Sequence, residues 1–185
     1  IPDVEAALTP DTLVASIMMA NNEEGSIQPI AEIARTVHSV GCLMHTDAAQ
    51  AFGKIPVDFH ELGIDAMSIS AHKIGGPNGI GAFILASRTH CLPFMYGGGQ
   101  ERGMRSGTQN VAGMTGFSAA AKALTGNQER LMQEHDRQRS LRDYLYERLC
   151  AYDQTVATVD CMAKSDRFLP NIVNVCVRGI ETEPL

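Results

Sequence analysis

Short apolar runs that break off into polar, glycine-bearing strings, separated by stretches of helical period, leave few folds open to this chain. Leu13 to Met19 is apolar and predicts a buried strand. Pro29 to Val40 then places Ile30, Ile33, Ala34 and Val37 at helical spacing, with Pro29 suited to a first turn and Gly41 to a glycine C-cap. Cys42 to Thr46, Ala66 to Ile69 and Gly81 to Leu85 read as further short strands. Strands alternating with helices predict an α/β domain with a largely parallel sheet.

The character changes near Ser118. From Ala119 to Tyr152 the sequence is helix-rich and charged, and Leu124, Leu131, Leu141, Leu145 and Leu149 predict an apolar stripe. Gly126-Asn127 interrupts that stretch and predicts a domain boundary, giving a large unit over residues 1–126 and a smaller one over 127–185. Asn171 to Val177 is β-like and reads as the start of the second unit. There is no internal repeat and no low-complexity tract.

A formal net charge of −6 and a pI near 5.5 argue against direct binding of nucleic acid, which needs a basic face. No apolar run approaches the roughly 20 residues of a membrane-spanning helix. The 5 cysteines are scattered without a C-x-x-C pair, which points to a reducing, cytoplasmic setting rather than a disulfide scaffold. Cys176 lies among Val173, Asn174, Val175 and Val177 and is expected to be a buried structural thiol. Ile1 stands where a natural chain has Met, and Glu181 to Leu185 reads as an interrupted segment, so a piece of a longer protein is expected.

Ionisable residues gather where strands should end. The second strand runs into His45-Thr46-Asp47-Ala48-Ala49-Gln50, and the third into Ser70-Ala71-His72-Lys73, followed by a glycine-rich turn. In open α/β sheets, ligands bind outside the carboxyl ends of strands. Gln50 would share a face with Asp47 if a helix started there. An amine and a carboxylate so placed match the demands of pyridoxal phosphate, which takes a lysine in a Schiff base and an acidic partner at its pyridinium nitrogen. Ser70 and His72 are candidate phosphate donors, with glycines admitting backbone N–H groups. Other readings stand beside this one. Asp47 after a strand also suits a helix N-cap, and a lysine among glycines also suits a solvated loop. His45, Asp47 and His72 are possible metal ligands, though no compact signature supports a metal-dependent hydrolase.

Four ordered strings sharpen the choice. Asn21-Asn22-Glu23-Glu24-Gly25, His45-Thr46-Asp47-Ala48-Ala49-Gln50, Ser68-Ile69-Ser70-Ala71-His72-Lys73 and Gly97-Gly98-Gly99-Gln100-Glu101-Arg102-Gly103-Met104-Arg105-Ser106-Gly107-Thr108 resemble the signature segments of cysteine desulfurases, in the NifS/IscS-like branch. The resemblance runs from about Val4 to the end of the chain. It implies an aspartate-aminotransferase-like fold: a large pyridoxal-phosphate-binding domain with a mainly parallel sheet, and a smaller α+β domain that is incomplete here. It implies removal of sulfur from L-cysteine, giving L-alanine and an enzyme persulfide, for iron–sulfur cluster assembly or tRNA thiolation.

Carried over residue by residue, the resemblance makes Lys73 the lysine that bears the cofactor and shuttles protons. Asp47 pairs with the pyridinium nitrogen, and Gln50 and Asn22 bond near the phenolic oxygen. Ser70 and His72 hold the phosphate, and Thr108 reaches the phosphate of a neighbouring subunit, so a homodimer is expected. A sulfur-acceptor protein, such as an iron–sulfur scaffold, is the expected partner. The family's phosphate-binding threonine loop and ring-stacking histidine would precede Ile1, and its persulfide cysteine and carboxylate-binding arginine would follow Leu185. None of the cysteines here matches the catalytic one, so this chain alone is expected to show little or no desulfurase activity. A selenocysteine lyase or a non-catalytic dimerisation module are the competing readings, the second weakened by the joint presence of all seven site residues.

Overall fold

In the computed structural model, which describes residues 1–126, 128–159 and 165–181, a four-stranded sheet forms the centre of the first half. Asn127, residues 160–164 with Cys161 among them, and residues 182–185 lie outside the described residues. The strands β1 (Val14–Met18), β2 (Leu43–Asp47), β3 (Ala66–Ser70) and β4 (Gly81–Leu85) lie side by side in that order. β1, β2 and β3 are parallel, and β4 runs antiparallel to β3. Residues 71–80, which join those last two, are too few for a parallel crossover, which takes a dozen or more.

The short helix α1 (Pro2–Ala7) precedes β1, and α2 (Ile30–Ser39) carries the chain from β1 to β2. α2 turns Ile30, Ile33, Ala34 and Val37 inward, as its spacing predicts. Gly41, at φ +79°, ends it: Gly41 N–H donates to His38 O and Cys42 N–H to Val37 O, a Schellman cap. A four-residue helix, α3 (Phe59–Leu62), leads to β3; its N-cap Asp58 accepts from the N–H groups of His60 and Glu61. Met44, Thr46 and Met67 meet the α2 residues from the sheet, and Thr46 Oγ1 donates to Ile17 O at 2.8 Å.

The opposite face of the sheet is bare. Val14 is 53% exposed, Leu43 40% and Phe83 56%. The expected buried first strand is therefore a half-buried edge strand, its residues alternating between the α2 side and the open side. Where β3 begins, at the end remote from Lys73, the buried carboxylate of Asp65 accepts from Met44 N (2.8 Å), His38 Nε2 (2.7 Å) and Arg88 Nη2 (2.9 Å). Burial pushes this carboxyl upward, but the backbone donor and the two side-chain donors outweigh it, and the group sits below the usual carboxylate range.

The helical half differs from expectation in four ways. α4 (Val111–Thr125) starts well before Ala119, because the Asn110 side chain caps it by accepting from Gly113 N–H at 2.9 Å. After the break, α5 (Gln128–Leu149) does not bury a leucine stripe: Leu141 is 52% exposed and Leu145 43%. Its buried positions are Arg142 and Tyr146, which reach segment 168–174 by hydrogen bonds rather than apolar packing alone. The β-like run 171–177 is a strand only over β6 (Val175–Val177), paired antiparallel with β5 (Thr155–Ala157). Cys176 is exposed on that two-stranded ribbon, not buried, because the ribbon leaves one face open. Leu169 inserts into the core built by α2 and the sheet.

Candidate functional site

Three parallel strands deliver their carboxyl ends to one edge of the sheet, and the predicted site residues follow from those ends. After β1 the chain turns at Asn21, whose side-chain oxygen accepts from Glu23 N–H (2.8 Å) and Glu24 N–H (2.9 Å). This Asx turn leaves Asn22 exposed at its tip. β2 ends at Asp47. Its Oδ1 accepts from Ala49 N–H at 2.8 Å, which starts a turn rather than a helix, so Gln50 is not on a shared helical face with Asp47. The turn closes through Ala51 and Phe52 N–H to Ala48 O, and Gln50 Oε1 accepts from Lys54 Nζ at 2.7 Å.

β3 ends at Ser70 and passes directly into a 3-10 turn, Ala71–Ile74, that carries His72 and Lys73. Asp47 is in register with Ser68, and Ser70 lies two residues on, so Asp47 and Ser70 share the open face of the sheet. Ala71 is the buried anchor of the turn, its N–H donating to Ile80 O. His72 and Lys73 are exposed. Among the described residues, no hydrogen bond or ion pair engages Ser70 Oγ, the His72 ring or Lys73 Nζ.

Thr108 belongs to a separate element. The loop from Gly97 to Gln109 is held by Ser106 N–H on Met95 O and by Gly107 N–H on Gln100 Oε1 (3.1 Å). Glu101 (φ 50°) and Arg102 (φ 58°) take left-handed conformations that cost energy for side-chain-bearing residues. Thr108 is exposed within this loop, ahead of α4.

Two features of the geometry were not expected from the sequence. His45 bridges three strands: Nδ1 lies 2.7 Å from Ser16 Oγ, Nε2 2.9 Å from Ser68 Oγ, and the ring tilts against Phe83 with centroids 5.8 Å apart. Burial lowers its pKa, opposed by the nearby Asp47 charge. Beside Lys73, a cavity of about 250 Å³ is bounded by Lys54 and Ile74 on one side and by Glu134, His135 and Gln138 of α5 on the other. Glu134 is held at about 2 by hydrogen bonds from Arg137 and then Gln138. The i, i+4 spacing of Gln50 and Lys54 is the signal that could have pointed to their contact. The α5 residues carry no local signal, since only the tertiary fold brings them to Lys73.

The donor set fits pyridoxal phosphate. Lys73 offers an uncommitted amine for the carbonyl carbon, and Asp47 keeps a carboxylate oxygen beyond the one that its own turn uses. Ser70 and His72 offer donors for a phosphate, and Gln50 retains its amide N–H groups. No group of three or more His, Cys, Asp or Glu gathers as metal ligands among the described residues, and no helix there is long and apolar enough to cross a membrane.

The sequence matches the Aminotransferase class-V family model over residues 1–185. It is 40% identical over 186 residues to a cysteine desulfurase of Gluconacetobacter diazotrophicus, covering 99% of this chain and 45% of that protein. The fold superposes on a solved NifS-like protein with a TM-score of 0.89 at 35% identity, over 99% of this chain and 48% of the other. A second solved structure, SspA in complex with cysteine, matches with a TM-score of 0.63 at 38% identity, over 65% of this chain and 35% of that one. The chain thus spans about half the length, or less, of the proteins it matches.

Proposed function

The chain belongs to the class-V aminotransferase family, and from that premise we propose that its protein is a pyridoxal-phosphate-dependent cysteine desulfurase. The observation that carries the reading is the edge of the sheet. An uncommitted amine at Lys73, a carboxylate with a free oxygen at Asp47, and uncommitted donors at Ser70 and His72 stand at the carboxyl ends of adjacent parallel strands. The similarity to named cysteine desulfurases and to a relative solved with cysteine supports L-cysteine as the substrate.

When bound, pyridoxal phosphate supplies an electron sink for charge that develops on the substrate carbon. Lys73 Nζ would hold it, and the same amine, when free, would carry a proton to and from the substrate carbon. The Asp47 carboxylate favours the protonated pyridinium nitrogen. Gln50 and Asn22 donate toward the phenolic oxygen, while Ser70 and His72 anchor the phosphate. Thr108 completes the phosphate site of a second copy, which makes the working unit a homodimer. A cysteine thiolate of the complete protein takes the substrate sulfur as a persulfide while the substrate C–S bond breaks, its electron pair staying with the carbon, which gains a proton to give L-alanine. The outer sulfur then passes to an acceptor protein such as an iron–sulfur scaffold, in a reducing compartment such as the cytoplasm. Four free thiols among the described residues support that compartment. Residues 1–126 are the cofactor-binding unit in this scheme, with a smaller unit from residue 127 onward.

The test is product balance in the complete protein. L-cysteine with an added thiol reductant should give L-alanine and sulfide in equal amounts, and Lys73→Ala should abolish both. Pyruvate and ammonia in place of alanine would refute the desulfurase assignment.

A further inference from the structure

We propose that Lys54 is a positioning residue of this site, fixing the Gln50 side-chain amide with its N–H groups, not its oxygen, available to the cofactor. The proposal rests on the reading that Gln50 meets the phenolic oxygen of pyridoxal phosphate. Donor inventory decides the orientation. Lys54 Nζ and the Gln50 amide are 2.7 Å apart. An ammonium group has three donors and no acceptor, so the amide atom it touches must be the oxygen. The contact therefore excludes the flipped amide, and it leaves Nε2 as the free end of Gln50. A phenolate oxygen accepts hydrogen bonds, so a flipped amide would set oxygen against oxygen there.

The surroundings make this more than a surface contact. Lys54 is half-buried, and it lines the same cavity as Lys73. Burial and then the charge of Lys73 lower the Lys54 pKa, so this ammonium is desolvated and its bond to Gln50 is stronger than one in water. The other charged or titratable groups on that cavity are Glu134 and His135 of α5. The turn itself closes without Lys54's side chain, through backbone bonds from Ala51, Phe52, Lys54 and Ile55. The side chain is free to serve the amide.

The experiment uses the complete protein loaded with pyridoxal phosphate, comparing wild type with Lys54→Met, Lys54→Arg, Gln50→Leu and the Lys54→Met/Gln50→Leu double variant. The readout is the pH midpoint of the cofactor's visible absorbance band, with thermal unfolding of the apo forms as a folding control. Losing a donor to the phenolic oxygen makes that oxygen a stronger base, so the midpoint rises. The expected rise in Lys54→Met is roughly half a unit to one unit, a three- to tenfold change in proton affinity. Gln50→Leu should give a shift of similar size, the double variant no more than either alone, and Lys54→Arg should restore the wild-type midpoint. Additive shifts in the double variant, or a midpoint that moves in Gln50→Leu but not in Lys54→Met, would overturn the positioning role. A wild-type protein with no visible band at all would instead sink the cofactor reading, and this inference with it.

Discussion

Arg142 is the most informative residue to remove, because it ties the long helix to the segment that braces the Asn22 turn. Its Nη1 donates to Phe168 O and Leu169 O, both at 3.0 Å, while Nε and Nη2 donate to Asp143 Oδ1 at 2.9 and 2.8 Å. Only 1% of the arginine side chain is exposed, against 33% of Asp143. The bound segment continues into the site: Leu169 N–H donates to Gly25 O at 2.7 Å, and Ile27 N–H to Arg167 O at 2.8 Å. Arg142→Met keeps most of the volume and deletes both carbonyl bonds. The Leu169 carbonyl, beside a fully buried side chain, loses a charged donor worth about 1.5–3 kcal/mol. The Phe168 carbonyl lies next to a half-buried side chain, so its loss is nearer 1 kcal/mol. The partly exposed Asp143 pair adds at most about 1 kcal/mol after solvent screening. The sum is about 2.5–5 kcal/mol, or roughly 5–20 °C in unfolding midpoint for a chain of this size. Arg142→Lys should lose about half as much, since one ammonium cannot reproduce the planar fork. Urea denaturation measures the energies, and hydrogen exchange at the Ile27 and Leu169 amides reports whether the Asn22 turn loosens with them. A loss below about 1 kcal/mol in Arg142→Met would refute the reasoning, as would unchanged exchange at both amides.

Gly53→Ala should destabilise by about 2–4 kcal/mol. Gly53 has φ +78°, and a Cβ there would stand 2.6 Å from Leu124 Cδ1 and 2.9 Å from Ile74 Cγ2; a chemical-denaturation change under about 1 kcal/mol would contradict both. For Asp65, the folded carboxyl lies below its ordinary value, so its stabilisation is present above the unfolded pKa of about 3.9 and is lost as pH falls through the folded value. Thermal unfolding of wild type and Asp65→Asn should therefore show a gap that is fully present well above the unfolded pKa and shrinks as the pH falls below it; a gap that persists unchanged in acid would refute this.

What could be read from the residues was whatever local pattern and position decide. The apolar runs ending in Asp47 and Ser70 marked the strands, and the rule that ligands bind at strand ends was enough to place Asp47 and Lys73 at one edge. The spacing of Ile30, Ile33, Ala34 and Val37 marked the buried face of α2 because helix and core there agree. α5 defeated the same logic. Arg142 and Tyr146 are buried since their polar atoms find partners on residues 168–174, while Leu141 and Leu145 face outward. No single-helix pattern announces that partner. Cys176 misled for a related reason: valine neighbours suit a core strand, but a two-stranded ribbon has one open face. The Gln50–Lys54 contact and the cavity beside Lys73 depend on a turn geometry and on α5 docking, which residue types alone do not specify.

The central claim, that these strand ends form a pyridoxal-phosphate pocket with Lys73 as the attachment point, is tested most directly by borohydride reduction of the complete protein mixed with the cofactor, followed by peptide mass mapping. The expected result is stoichiometric phosphopyridoxyl label on Lys73, lost in Asp47→Ala, with Lys54 and Lys122 unlabelled. Label scattered over the surface lysines, with no preference for Lys73 and none for an intact Asp47, would contradict it.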